Sequence, residues 1–292
     1  MGVTGLEIFK LLPKTNCKEC GFPTCLAFAM QVAMGKVELA KCPHVSEEAK
    51  QKLAEVAAPP IRTVTVGGLK VGGETVAFRH EKRFENPPGI GVLISDAMED
   101  AEVERRLQAM KELQYERIGL ILKPDVVAVR CESGDPERFA GLAQRAASDG
   151  FAVVLVSEDP KALAAAARAC GDNKPLLYPA TPANAEEVAS LAKELGCPVG
   201  AKASGLEELA QLTAKLTEAG VKDIVLDSGA TTFGQLLQDH VIIRKAALEK
   251  KFRPLGFPTI AFTERVADDL MKEAMVACSL IAKYGGIIVL SD

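Results

Sequence analysis

Residues 198–228 read PVGAKASGLEELAQLTAKLTEAGVKDIVLDS, and this stretch decides the fold. It opens on a short β-rich run, PVGAKA (198–203), and closes on another, DIVLDS (223–228). Between them, SGLEELAQLTAKLTEAG (204–220) places apolar residues at helical spacing. A strand, an amphipathic helix and a second strand of these lengths form a right-handed crossover between parallel strands. The unit repeats in both directions. Upstream lie GVLIS (91–95), VVAVRC (126–131), AVVLVS (152–157) and PLLYPA (175–180); downstream lie PTIAFT (258–263) and GIIVLS (286–291). Amphipathic stretches such as DAMEDAEVERRLQAMKELQ (96–114) separate the neighbours. Eight β runs alternating with seven helices predict an α/β fold, a TIM-type (β/α)8 barrel over residues 89–292. A doubly wound open sheet is the second choice, and no G-x-G-x-x-G follows the first strand to suggest a dinucleotide site.

The eighth run ends at Ser291-Asp292, before the helix that would cover its outer face. The barrel is therefore expected to be truncated after its eighth strand, as the front part of a longer protein or with another chain covering the strand. In such barrels function gathers where strands end. Those ends carry Asp96, Glu132, Ser157, Thr181, Ser204, Asp227 and Thr263, which are also expected helix N-caps. Asp227, in VLDSGA, is the best candidate for a polar role, with Asp96 the other carboxylate of interest. His44, His80 and His240 read as isolated, so neither a metal triad nor a nucleophile–base pair is visible at the barrel mouth.

The 292 residues suffice for a full core, with 48% hydrophobic, 5% aromatic and no Trp. The net charge of −4, with basic residues dispersed, argues against nucleic-acid binding. No apolar run approaches the ~18 residues of a membrane span, and no signal peptide is legible. Eight cysteines without a secretion signal point to a reducing, cytoplasmic setting.

Four of them crowd the amino end. NCKECGFPTCLAFAM (16–30) and AKCPHVSEEAK (40–50) place Cys17, Cys20, Cys25 and Cys42 in a C-x2-C-x4-C-x16-C pattern. Structural zinc favours two C-x2-C knuckles around one ion, whereas a 4Fe-4S cube takes one thiolate per iron and suits an asymmetric loop with a distant fourth ligand. Gly21 and Pro23 shape the loop, and Cys42-Pro43 matches the Cys-Pro ending of ferredoxin runs. A zinc site and a redox thiol set remain alternatives. Around the cysteines, residues 1–58 read as a small α-helical 4Fe-4S module. Thr4 and Glu7 form a capping box before LEIFKLL, with Pro13 as the stop. Cys25 opens a helix through LAFAMQVAMG that Gly35 ends, and Ser46 with Glu47 and Glu48 opens another reaching about Val56. Lys14, Lys18 and Lys41 sit near the ligands, either offsetting cluster charge or simply solvated. Residues 59–88 read as a proline-rich joint (AEVAAPP, 54–60) and a connecting hairpin in IRTVTVGGLKVGGETVAF. The other thiols, Cys131, Cys170, Cys197 and Cys278, show no spacing logic and read as small buried hydrophobes.

The module resembles the amino end of the large, or gamma, subunit of the corrinoid iron-sulfur protein of the acetyl-CoA decarbonylase/synthase pathway. The resemblance continues through AAPPI, FRHEKRF, KPLLYPAT, GLEELAQL, IVLDSGA and IRKAALEKKFRPLGFP, essentially the whole chain. It implies a corrinoid methyl carrier that moves a methyl group from a methyl-tetrahydropterin methyltransferase to acetyl-CoA synthase. Cys17, Cys20, Cys25 and Cys42 match the family's cluster ligands, and the cluster would supply an electron to reactivate the corrinoid cobalt. The family's barrel pairs with a similar barrel in a small subunit, and CO dehydrogenase/acetyl-CoA synthase is a further expected partner. The family's corrinoid-binding (cobalamin) domain follows the point where this sequence stops, so no corrinoid contact is assigned. The chain is thus expected to be a methyl-carrier and redox subunit rather than a self-sufficient catalyst. Two other readings stand beside it: a pterin-dependent methyltransferase barrel with a fused cluster, and an electron-transfer subunit without corrinoid.

Overall fold

The computed structural model describes residues 4–34, 36–46, 49–50, 59–78, 80–283 and 285–292. They form two compact units, Met1–Pro59 and Pro60–Asp292.

In the first unit, α1 (Gly5–Leu11) packs on α2 (Cys25–Ala33). The expected capping box is present: Glu7 N–H donates to Thr4 Oγ1, and Thr4 N–H donates to the Glu7 carboxylate. Gly5 lets the helices approach closely, because a Cβ there would lie 2.3 Å from the Met30 sulfur. Thr24 caps α2 by accepting from Ala27 N–H. Ser46 Oγ accepts from Ala49 N–H, as expected of a helix start; Gly35, Glu47, Glu48 and the joint residues 54–58 lie outside the described residues.

The second unit is the barrel. A hairpin, β1 (Thr63–Val66) and β2 (Leu69–Gly72), precedes β3 (Gly89–Ser95) and α3 (Asp100–Glu112). A second hairpin, β4 (Tyr115–Arg117) and β5 (Leu120–Leu122), follows. The alternation then runs β6 (Val126–Arg130), α4 (Pro136–Ser148), β7 (Ala152–Val156), α5 (Pro160–Ala169), β8 (Leu176–Ala180) and α6 (Ala185–Leu195). It continues as β9 (Val199–Lys202), α7 (Leu206–Glu218), β10 (Ile224–Asp227), α8 (Phe233–Leu248), β11 (Ile260–Phe262), α9 (Leu270–Ala282) and β12 (Ile287–Leu290). The eight long-range strands pair in the order β10-β9-β8-β7-β6-β3-β12-β11, all in parallel. A parallel bridge from Leu226 to Thr259, with Leu226 N–H donating to Pro258 O at 2.8 Å, closes the ring between β10 and β11. The barrel expectation is met, within a residue or two at each of the eight strands.

Strands in such a ring are buried on both faces, hence the continuous apolar runs: all five residues of β7 are buried. Outward side chains meet the helices around Phe139, Leu163, Val188 and Leu209. The helices start where the sequence tells them to. Asp135 and Asp159 accept from the first-turn N–H groups, and Pro136 and Pro160 follow at the first helical positions. Inward side chains include Val126, Val154, Leu176, Val225 and Ile287, and they are joined by Val64, Val66 and Val71.

Those three valines come from the hairpin expected as a connector. A two-stranded hairpin is marginal alone; this one becomes the barrel floor, each buried valine contributing ~1.5–3 kcal/mol. Gly67 turns it with φ +55° and donates to Lys174 O, just before β8, while Arg62 N–H donates to Gly256 O, shortly before β11. Both anchors therefore lie at the amino-terminal ends of strands, leaving the carboxyl ends open.

The β4–β5 hairpin was not expected from the sequence. Its two loop residues, Ile118 (φ +52°) and Gly119 (φ +74°), both take positive φ, the requirement of a type I′ turn. A β-branched residue is a rare choice there. The scattered thiols divide: Cys170 and Cys197 are buried as expected, but Cys131 is half-buried and Cys278 is exposed, on the outer side of α9. No helix among the described residues is long and apolar enough to cross a membrane.

Candidate metal centre and barrel mouth

The four amino-terminal cysteines arrive from two loops. Cys17 and Cys20 lie in the segment between α1 and α2, Cys25 is the first residue of α2, and Cys42 follows a short 3-10 turn, Leu39–Lys41. Cys20, Cys25 and Cys42 belong to one apolar cluster with Ile8, Leu12, Phe28 and Val45, whereas Cys17 is exposed. The loop backbone is unusual. Lys14, Asn16 and Lys18 take φ of +58°, +49° and +68°, and Gly21 takes +83°. Left-handed residues set between ordinary ones are the backbone from which anion-binding amide concavities are made, iron–sulfur sites among them.

Asn16 fastens this loop to α2. Its backbone N–H points at the Cys25 sulfur at 3.4 Å, and its side-chain oxygen accepts from Cys25 N–H at 2.8 Å. The positive end of the α2 dipole also falls at Cys25. Phe22 packs against Phe28 with ring centres 5.7 Å apart, forming part of the apolar shell. The Lys14 and Lys41 ammonium groups lie over the Phe9 and Phe22 rings, 5.7 and 5.8 Å from the ring centres, as cation–π pairs.

The donor set fits a cluster better than a single ion. Sulfurs around one zinc at ~2.3 Å stand about 3.8 Å apart. Among the described residues, Cys17, Glu19 and His44 bring three possible ligand atoms within 4.8 Å of one another. Four soft thiolate donors, three of them in an apolar shell, suit the wider 4Fe-4S cube. His44 is not isolated, as its sequence position suggests: the Cys42 turn carries it back to the first loop, where its Nε2 lies 2.8 Å from Glu19.

At the barrel mouth the strand-end polar residues are loop braces rather than N-caps. Asp96 accepts from Glu132 N–H, Ser133 N–H and Ser133 Oγ–H at 2.6–2.7 Å. Burial opposes its ionisation, but these hydrogen bonds prevail and hold its carboxyl below the usual range. Ser157 Oγ accepts from Asp159 N–H, and Thr263 donates to Glu273. The side chains that accept first-turn N–H groups stand two to six residues further on, as Asp135, Asp159, Thr232 and Asp269, because short loops separate strand from helix.

Asp227 is the centre of a buried network. Tyr178 donates to its Oδ2 at 2.5 Å, and Arg265 Nη1 donates to the same oxygen at 2.8 Å and to the Tyr178 oxygen at 2.7 Å. The Arg265 guanidinium also lies 4.4 Å from the Phe262 ring centre. Burial first, and then the Asp227 charge, raise the Tyr178 phenol well above its ordinary 10. Sequence reasoning reached Asp227 but missed Tyr178 and Arg265, which stand 49 and 38 residues away and meet it only through barrel closure. Asn16 was missed too, although an Asn directly before the first cysteine, a residue that tolerates left-handed φ, was the available clue.

Comparison with known proteins follows the same division. Residues 64–292 match the family model for the CO dehydrogenase/acetyl-CoA synthase delta subunit, and residues 12–44 match a model for an Fe-S cluster segment. The chain is 42% identical to the corrinoid/iron-sulfur protein large subunit of Moorella thermoacetica, over 99% of this chain and 66% of that protein. It is 36% identical to the acetyl-CoA decarbonylase/synthase complex subunit gamma of Methanothermobacter thermautotrophicus, over 100% of this chain and 67% of that protein. It thus spans about two thirds of the length of these relatives. Among solved structures, dihydropteroate synthase of Thermus thermophilus aligns with a TM-score of 0.55 at 15% identity, over 79% of this chain and 94% of that one. At that identity the likeness speaks for the barrel fold alone. The barrel's model carries the delta-subunit description, whereas the relatives matching along the whole chain, cluster segment included, are large and gamma subunits. The chain belongs to the family of the corrinoid/iron-sulfur protein large subunit and the acetyl-CoA decarbonylase/synthase gamma subunit.

Proposed function

We propose that Cys17, Cys20, Cys25 and Cys42 hold a 4Fe-4S cluster, and that the chain works within a corrinoid methyl carrier. The reading gives the carrier a methyl group from a methyl-tetrahydropterin methyltransferase, destined for acetyl-CoA synthase, with a small-subunit barrel as its companion. The observation that supports it most is that Cys20, Cys25 and Cys42 share one apolar cluster and Cys17 lies exposed in the left-handed loop beside them, within a segment that accompanies the barrel in the relatives. Bound there, the cluster supplies single electrons, which reductive reactivation of the corrinoid requires. The chain's own residues do the rest. Asn16 fixes the Cys25 end of the loop, Thr24 caps the helix that Cys25 opens, and Phe22 and Phe28 keep water from one side. Cys17, at the surface, gives the site its open edge. Corrinoid contacts are not assigned to residues of this chain, which is about two thirds of its relatives' length.

The test is anaerobic reconstitution of the chain and of four single Cys→Ser variants, with iron, acid-labile sulfide, visible absorption and electron paramagnetic resonance of the reduced form. Four irons and four sulfides in the parent, with loss or conversion of the cluster in each variant, are expected. A colourless zinc-loaded parent, or full iron and sulfide in all four variants, would overturn the assignment.

A further inference from the structure

At the carboxyl ends of the barrel strands lies a cavity of about 200 Å³, lined by Arg130 and Lys202 at the ends of β6 and β9, Ser157 after β7, Tyr178 in β8, and Arg265 after β11. It is rich in hydrogen-bond donors whose protein acceptors are already in use. Arg265 commits a single nitrogen, Nη1, to Tyr178 and Asp227. Arg130 directs Nη2 to Glu264 at 2.6 Å, and its Nη1 stands 3.6 Å from Glu132. Lys202 enters no ion pair among the described residues. The three carboxylates that face the arginines, Glu132 and Glu264 at Arg130 and Asp227 at Arg265, do not line the cavity; Glu158, which does, is exposed. Arg265 therefore keeps guanidinium nitrogens turned away from Asp227, and the fork of a guanidinium matches the two oxygens of a carboxylate or phosphate.

Stability alone does not account for this arrangement. A buried Tyr–Asp–Arg network costs desolvation that well-packed apolar side chains would avoid. What it achieves is to pin Arg265, stacked on Phe262, in one rotamer with its outer edge in the cavity. Lys202, the last residue of β9, brings a second cation to the same space.

We propose that the barrel mouth binds a small organic oxyanion, a carboxylate or a phosphate, held by Lys202 and the outward edge of Arg265, with the charge of Arg130 beside them. The cavity is smaller than the ~300–1,000 Å³ typical of drug-sized ligands, so the ligand is a small dicarboxylate or phosphate ester rather than a nucleotide. The site stands independently of the amino-terminal metal centre, and its failure would leave the methyl-carrier reading untouched.

Calorimetric titration of the cluster-loaded chain with inorganic phosphate and with malonate, each against chloride at matched ionic strength, tests the site. Saturable binding of at least one probe is expected, and Lys202→Gln should weaken it about tenfold or more, as loss of a charged hydrogen bond implies. The melting temperature of that variant should stay at the parent value, since Lys202 is half-buried and outside the buried network. Lys215→Gln, on the exposed face of α7 and outside the cavity, should leave binding unchanged. Preference for phosphate assigns the phosphate-ester class, and preference for malonate the dicarboxylate class. Absence of saturable heat for both probes up to ~10 mM, weaker than a specific site of this kind, would overturn the proposal. So would unchanged binding in Lys202→Gln, or loss in Lys215→Gln.

Discussion

Asn16 and Cys25, nine residues apart, hold each other through two hydrogen bonds: backbone N–H to sulfur at 3.4 Å, and backbone N–H to amide oxygen at 2.8 Å. One residue thereby sets the left-handed turn of the loop and the position of a thiol at the start of a helix.

Asn16→Ala removes the acceptor and places Ala in a left-handed conformation, at a combined cost of ~2 kcal/mol to the module. Iron and sulfide retained after anaerobic desalting should fall relative to the parent, while Asn16→Asp, which keeps the acceptor, should retain most of the cluster. Equal retention in Asn16→Ala would show that the pair does not shape the loop.

The Tyr178–Asp227–Arg265 network separates two substitutions that resemble each other on paper. Tyr178→Phe leaves Asp227 bonded to Arg265 and to Gly229 N–H, and should cost ~1–2 kcal/mol. Asp227→Asn strands a partly buried guanidinium and should cost ~3–5 kcal/mol. Urea midpoints at constant m-value would rank them, and the reverse order would refute the network as drawn.

His240 lies fully inside the protein, 3.5 Å from Thr259 Oγ1, and burial pushes its pKa down to about 4, Asp227 opposing and Arg244 assisting. The folded state thus holds a neutral imidazole that the unfolded chain protonates from about pH 6.5 downward. His240 therefore contributes stability that is complete above pH ~6.5 and is lost as pH falls towards ~4, about 3 kcal/mol over the window. Glu74, Asp125 and Asp223, whose carboxyls burial raises, bend the profile the opposite way, since their folded forms take up protons first. The informative quantity is the difference between the stability–pH curves of the parent and His240→Leu. A difference that does not change between pH 7 and pH 4 would contradict the buried neutral imidazole.

Burial pushes the Cys170 thiol up to about 12 and the Cys197 thiol up to about 11. At pH 8 both should resist iodoacetamide until the barrel unfolds, because the thiolate is the nucleophile. Exposed Cys278 should be alkylated in the native protein, and peptide mass spectrometry reads the three sites together. Rapid native labelling of Cys197 would place it elsewhere than in the barrel's outer core.

What the amino-acid sequence determined by itself is the chain of local choices. Runs such as AVVLV can be buried on both faces only as inner strands, and Asp-Pro pairs at 135–136 and 159–160 start helices wherever they occur. The C-x2-C-x4-C spacing is local too, a pattern that can be read in one dimension. Tertiary structure decided the features that depend on distant segments meeting. The β1–β2 valines became a barrel floor because the ring left an apolar end to fill, and nothing in TVTV distinguishes a connector from a plug. The β4–β5 hairpin turned on Ile118, a residue that announces no turn. Asp227 found Tyr178 and Arg265 because closure between β10 and β11 brings the eighth, tenth and eleventh strands around one mouth. His44 found Glu19 because the Cys42 turn folds back. Periodicity encodes which face of an element is apolar; which other element covers that face is settled only when the whole ring closes and its buried polar groups must find partners.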